Sequence, residues 1–248
     1  MTTDGAELRA ARQALAARAC AAHAVALQRY FKTGPGEYGE GDRFIGVRVP
    51  ALRAVARSFR RLSLADATTL LCSAIHEERL LALVVLVEQF RRADPDTRAA
   101  IYRLYLDHLD RIDNWDLVDT SAPHIVGGWL HGGDRAPLRS LARSPDLWAR
   151  RIAIMATFHD IRAGDFDATL EIAEMLVDDP EDLIHKAVGW MLREVGKRER
   201  AVAEGFLAEH AAHMPRTMLR YAIEKYPPSL RRRYLGVAAA SRGLRTAG

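Results

Sequence analysis

Four segments of this chain repeat one pattern: a single basic residue followed by an apolar helix-forming run. They are "EERLLALVVLVEQF", "LWARRIAIMATFHDI", "LIHKAVGWMLREVGK" and "TMLRYAIEKYP". The basic residues are Arg79, Arg151, Lys186 and Arg220, separated by 72, 35 and 34 positions. The first interval is two periods of 36, so one copy of the pattern is replaced near position 115, where Trp115 stands. Few features constrain a fold as strongly. A unit of about 35 residues cannot bury its own apolar face and does so only by stacking on its neighbours.

Helical periodicity dominates between the repeats, and alternating strand patterns are scarce. Short breaks such as "RRADPDT", "HGGDRAP", "RSPD" and "DDPED" carry an acid or serine before proline or glutamate, the signature of a helix start. The reading is an all-α chain of roughly a dozen helices. Its helices pair into a HEAT-like α-solenoid, a curved right-handed array. Equivalent positions of successive second helices line one concave surface. Residues 1–230 then form a single repeat domain, and 231–248 a basic, flexible C-terminal tail. A β-sheet beyond a short hairpin is not expected.

Charge has to be read by position. The chain has 36 Lys and Arg against 32 Asp and Glu, and a pI near 9.3. Six basic residues and no acid lie from Lys225 onward, so the first 224 residues carry a net −2. A cationic surface has to be built by arrangement, and the register of Arg79, Arg151, Lys186 and Arg220 builds one along the concave face. Basic residues in such a stripe bind phosphates.

Other classes are disfavoured. Cys20 and Cys72 suit neither a disulfide framework nor a cysteine zinc site and fit a reducing cytoplasm. Nine histidines show no metal-ligand spacing, and His124 and His185 read as structural or exposed. No metal or cofactor is expected. The longest apolar run, "LLALVVLV", is too short to span a bilayer, and "MTTDGAELRA" is not a signal peptide. A closed-ended solenoid has no evident need to dimerise, so a monomer is expected.

The interruption at Trp115 is the most informative part of the pattern. In "RIDNWDLVDTSAPHIVGGWL", Trp115 and Asp119 stand at i and i+4 and share a helix face. Asp113 or Asn114 can cap this helix, and Pro123 should kink or end it. In the repeat register Trp115 faces the same way as Arg151, and Trp190 lies one turn after Lys186. One face then holds two indoles, several cations and one carboxylate. Indoles pack against sugars and bases. A carboxylate repels phosphate, but it suits a substrate that becomes positively charged, as a sugar does when its N-glycosidic bond breaks. Taken alone, the spacing favours a core tryptophan and an aspartate that is a helix cap or an ion-pair partner.

The strings "FIGVRVPALR", "NWDLVDTSAPHIVG", "LWARRIAI", "HKAVGWMLREVGKR" and "RYAIEKY", in this order over about residues 30 to 230, resemble the AlkD-type DNA alkylation repair family of HEAT-like DNA glycosylases. The resemblance implies excision of positively charged alkylpurines, N7-alkylguanine and N3-alkyladenine, from duplex DNA. It also implies that the lesion stays stacked, unlike the base-flipping usual for glycosylases. It identifies Asp119 with the catalytic aspartate and Trp115 with the tryptophan before it. Arg151 matches the arginine near the lesion's phosphate, and Trp190 the second aromatic of the site. Arg79, Lys186 and Arg220, with Arg150 less favoured than Arg151, would bind DNA. Two other classes remain open: a non-catalytic HEAT-repeat binder of damaged or branched DNA, and a protein–protein scaffold. The loop "KTGPGEYGEGDRF", with four glycines between Gly34 and Gly41, resembles a loop of the same family. It reads as a tight multi-turn connection or as a clamp reaching DNA through Lys32, Tyr38 and Arg43. It is not a P-loop.

Overall fold

The computed structural model describes residues 5–245, with side chains to residue 236. The chain divides at Ile125/Val126 into two compact units. The first contains α1 (Ala6–Ala16), α2 (Ala21–Tyr30), α3 (Val49–Ser58), α4 (Leu64–Leu71), α5 (His76–Phe90) and α6 (Pro95–Asp107). It ends within α7 (Trp115–Leu130). The second continues with α8 (Ala136–Ala142), α9 (Leu147–Ala156), α10 (Phe158–Ala163), α11 (Asp167–Met175) and α12 (Asp182–Arg198). It closes with α13 (Arg200–His210), α14 (Arg216–Ala222) and α15 (Pro228–Arg245). The fold is all-α. The only β pairing among the described residues is an isolated bridge between Arg43 and Ile75. The basic C-terminal segment from residue 231 to Arg245 continues α15, while residues 246–248 and side chains beyond 236 lie outside the described residues.

The repeat is visible in the helix starts. The helices carrying the recurrent pattern begin at His76, Trp115, Leu147, Asp182 and Arg216. In the first unit α5 packs on α3, α4 and α6. In the second, α9 packs on α8 and α12, and α12 on α13 and α14. Leu81, Leu83, Leu86, Ile101 and Leu117 fill the first core; Ile152, Ile154, Ile184, Met191 and Met218 fill the second.

Of the breaks read from sequence, "RRADPDT" and "RSPD" supply side-chain caps, whereas the helices that start at "HGGDRAP" and "DDPED" have no side-chain bond from the N-cap residue. Asp94 accepts a bond from Thr97 N ahead of Pro95, Ser63 one from Asp66 N, and Asp146 bonds from Trp148 N and Ala149 N. Each satisfies N–H groups that a helix start leaves over. Pro123 does not end the helix, since α7 runs through it to Leu130. Its missing N–H withdraws the helical bond to the carbonyl of Asp119. Helical bonding is intact at the far end, where His131 N donates to Gly127 O.

Helix α5 is buried on nearly all sides, including its first four residues, His76, Glu77, Glu78 and Arg79. Buried charge is tolerated only when paired, and each of these has partners. Glu77 accepts from the N–H groups of Ile45, Gly46 and Val47 at 2.7 to 3.2 Å. Glu78 pairs with Arg12 at 2.9 Å. His76 and Arg79 tie α5 to the segment that opens α7.

Candidate functional site

Helix α7 starts at Asn114, whose carbonyl accepts from Val118 N and whose Oδ1 accepts from Trp115 N. Asn114 is fully buried because its Nδ2 donates in turn to Asp42. Leu117, Val118, Ser121 and Ala122 face the core, while Trp115, Asp119, Thr120 and His124 are half-buried. The i,i+4 pair Trp115 and Asp119 therefore lies on the helix edge that reaches solvent.

The indole of Trp115 is fixed by rings from the preceding chain. It stacks on Phe31 at 5.0 Å between centroids and 18° between planes, with Tyr30 edge-on at 5.8 Å. The stack continues from Phe31 to Phe44 at 5.0 Å and from Phe44 to His76 at 4.4 Å. Asp119 borders a buried wall made by Tyr105. The phenol of Tyr105 donates to Ser121 Oγ at 2.9 Å, and Ser121 donates to Leu117 O. Burial pushes the Tyr105 pKa up, and the negative charge of Asp119 adds to this despite the bond to Ser121. The wall is thus neutral, and the carboxylate sits beside low-dielectric material.

The first turn of α7 is held by a charge network that the sequence pattern does not reveal. His76 Nδ1 bonds Asp42 at 2.7 Å and Nε2 bonds Asp116 at 2.9 Å. Arg79 Nη2 lies 2.9 Å from both Asp42 and Asp113. Burial draws the His76 pKa down, but Asp116 and Asp42 outweigh it and push it up to about 9. The ring is therefore an imidazolium with both nitrogens donating. Burial raises the Asp42 carboxyl, yet His76, Arg79 and Asn114 bring it below its ordinary value. The sequence did carry one signal: four consecutive polar residues, "HEER", stand directly before the longest apolar run of the chain.

The glycine-rich loop supplies Asp42 and Phe44 to this network. It is a succession of turns, closed by Gly34 O to Glu37 N, Glu37 O to Glu40 N and Gly39 O to Asp42 N. Glu37 and Glu40 accept from the N–H groups of Gly34 and Gly36. Of the residues that would make it a DNA clamp, Lys32 lies over the Tyr38 ring at 5.9 Å and Arg43 is exposed. A Cβ on Gly39 would stand 2.4 Å from Phe31 O, so only glycine lets the loop close against Phe31 and Asn114.

The sequence-derived cations fare differently. Arg79 is 5% exposed and neutralised by Asp42 and Asp113, so it braces α7 and is not presented to a phosphate as the register suggested. Arg150 is likewise committed within the fold, to Asp179 at 2.6 Å and to the carbonyls of Ser144 and Pro145. In the second unit Arg151 is buried on α9 and donates to Leu183 O in the first turn of α12. Lys186 pairs with Asp182 at 2.6 Å, and Arg220 is exposed. Trp190 is half-buried, with Nε1 donating to Glu194 at 3.3 Å and Phe158 6.3 Å away. Burial raises the Glu194 carboxyl, but Lys197, Arg198 and the Trp190 bond keep it below its ordinary value. His185, read as structural, bonds the carbonyl of Asp179.

The family described as "DNA alkylation repair enzyme" matches residues 11–226, which include the glycine-rich loop, all of α7 and the recurrent helices. The chain belongs to the DNA alkylation repair enzyme family. A solved structure, "Predicted DNA alkylation repair enzyme from Enterococcus faecalis", superimposes with a TM-score of 0.65 at 16% identity. The match covers 85% of this chain and 98% of that one. At that identity the likeness speaks for the fold alone. A comparison with curated proteins gave no match. A DNA substrate and an enzymatic role in alkylation repair follow from the family. No helix among the described residues is long and apolar enough to cross a membrane.

Proposed function

We propose that this alkylation repair enzyme is a monofunctional DNA glycosylase that hydrolyses the N-glycosidic bond of positively charged alkylpurines such as N7-alkylguanine and N3-alkyladenine in duplex DNA, without a cofactor and without flipping the base. The observation that carries this reading is Asp119 itself. It is a carboxylate on the solvent-reaching edge of α7, against a neutral buried wall and one turn from a ring-stacked tryptophan. In a protein that acts on a polyanion, an acid in that position is unfavourable unless positive charge develops beside it.

Alkylation makes the purine a cation and a good leaving group. As the C1′–N bond breaks, the base takes the bonding electron pair and becomes neutral. The positive charge passes to the sugar, water adds at C1′, and a proton is released. Asp119 attracts the sugar more strongly in the transition state than in the ground state, which is the condition for acceleration, and it orients the water. Trp115 packs the deoxyribose and excludes bulk solvent. Arg151 and Trp190 take the phosphate-holding and second aromatic roles on the strength of the sequence correspondence. Lys186 and Arg220 contact the backbone.

The test is release of base from a duplex carrying one N7-methylguanine. Asp119→Asn preserves size and removes the charge, and it should slow release by roughly 10²-fold or more, the scale for losing one preorganised electrostatic group. Duplex binding should be retained or strengthened. Wild-type protein that binds the duplex and releases no base would make the chain a non-catalytic binder of damaged or branched DNA.

A further inference from the structure

A cavity of about 320 Å³ in the first unit is used by none of the roles above. It lies among α3, α5 and α7. Ala56, Val84 and Val87 make its apolar floor. Around it stand five guanidinium groups, from Arg53, Arg57, Arg60, Arg91 and Arg92, and one carboxylate, Glu88. Thr120 and His124 of α7 complete the wall, so the cavity adjoins the residue immediately after Asp119.

Three of these five cations have no counter-charge among the described residues. Arg53 and Arg57 are one helical turn apart, and like charges at that spacing repel. Glu88 is occupied by Arg91 at 3.0 Å and Arg92 at 3.8 Å. Arg53, Arg57 and Arg60 are exposed and have no ion-pair partner among the described residues. Arg91 also reaches His124 Nε2 at 3.3 Å, which orients its fork toward α7. The arginine row continues into an adjoining hollow lined by Arg60, Arg61 and Arg92. In a chain whose first 224 residues are net negative, this concentration is local and arranged.

We propose that this cavity is a phosphodiester-binding site that seats the DNA backbone beside Asp119. Guanidinium forks match phosphate oxygens in bidentate geometry and are the usual choice for phosphate recognition. The apolar floor suits the face of a deoxyribose, and a row that outruns the cavity suits a polymer better than a single small anion. The site offsets the repulsion that Asp119 exerts on the strand. The proposal rests on the DNA reading above, but it is tested by binding, and that reading by base release.

The experiment measures fluorescence anisotropy of an undamaged duplex from about 50 to 300 mM salt for the wild type, Arg53→Gln/Arg57→Gln and Arg57→Gln/Arg91→Gln. Arg103→Gln, an exposed arginine of α6 outside the cavity, controls for the change in net charge. The log–log slope should fall by about 0.9 for each phosphate that is no longer neutralised. That is about 1 to 2 in each double variant and less in the control. Far-UV circular dichroism confirms that the variants fold. An unchanged slope, an equal fall in Arg103→Gln, or a wild type that does not bind duplex overturns the proposal. So does thermal stabilisation by inorganic phosphate that the variants abolish while their duplex slope is unchanged, because that describes a small-anion site. Wild type that binds with these slopes but releases no N7-methylguanine refutes the glycosylase reading and leaves the cavity assignment standing. Base release with unaltered variant slopes does the reverse.

Discussion

The imidazolium of His76 should make the stability of this protein fall on the alkaline side of neutrality. Its pKa moves from 6.5 to about 9 on folding, because burial is outweighed by Asp116 and Asp42. A raised pKa means the folded state binds the proton more tightly. The stabilisation is complete below pH 6.5 and disappears as pH climbs through about 9. At about 1.36 kcal/mol per tenfold change in proton affinity, the full effect is about 3 kcal/mol. The side chain is 1% exposed, so solvent screening removes little of this. For a chain of this length that is roughly 6 to 12 °C in Tm. Thermal and urea unfolding, followed by circular dichroism at pH 6.5, 7.5, 8.5 and 9.5, measures it. The drop should concentrate between about pH 7 and 9.5. His76→Gln should be less stable at pH 6.5 and nearly level across the same window. A wild-type profile that is flat from pH 6.5 to 9.5, or a variant that declines as steeply, would show that the ring is not charged in the folded protein.

Gly46 has φ near +84°, and a Cβ there would stand 2.1 Å from Cys20 O. Gly46→Ala should therefore cost about 2 kcal/mol or more in chemical denaturation; a loss below about 0.5 kcal/mol would contradict the packing. Arg150→Ala removes one partner of a nearly buried ion pair with Asp179 and should destabilise by about 3 kcal/mol. It should leave the salt dependence of duplex binding unchanged, whereas removing a phosphate ligand would lower the slope. Phe31→Ala removes the ring on which Trp115 stacks; base release should fall although residue 31 carries no reactive group, and wild-type rates would separate the stack from the site.

Much of the architecture is written into local pattern. Asp94 before Pro95, Ser63 and Asp146 cap helices through atoms two or three residues away, and the period that spaces Arg151, Lys186 and Arg220 also spaces α9, α12 and α14. The pairing of Trp115 with Asp119 on one helix edge needs only the pitch of α7. The charge network is a different matter. Asp42 meets residues 34, 37 and 72 positions away, from a loop outside the repeat. Register identifies the turn of a helix on which Arg79 sits. It does not identify what stands opposite, so a buried brace and a phosphate ligand look alike. The same limit applies to Arg150, whose partner Asp179 is 29 residues on. The arginine-lined cavity is illegible in sequence for a related reason: Arg53 and Arg57 of α3 meet Arg91, just past the end of α5, only through tertiary packing.

If Asp119 acts as proposed, the density of restraint around α7 is what such an electrostatic site requires. A carboxylate contributes to bond breaking only if it is already aimed when charge appears, because reorganisation at that moment would consume the gain. The middle of α7 is locally weak, since Pro123 supplies no N–H to the carbonyl of Asp119. The restraint is therefore placed on either side. At the start, Asn114 is buried, Asp116 is bonded to an imidazolium, Asp113 is bonded to Arg79, and Trp115 lies on Phe31. Beyond the proline, Gly127 lets the helix approach the carbonyl of Ala156 so closely that a Cβ would stand 2.1 Å from it. The neighbouring acids Asp113 and Asp116 are each tied to a cation of α5, so on the proposed reading they do not share the role of Asp119. Loosening the brace should then lower the rate of base release before it lowers affinity for duplex, because binding draws on many cations and catalysis on the placement of one carboxylate.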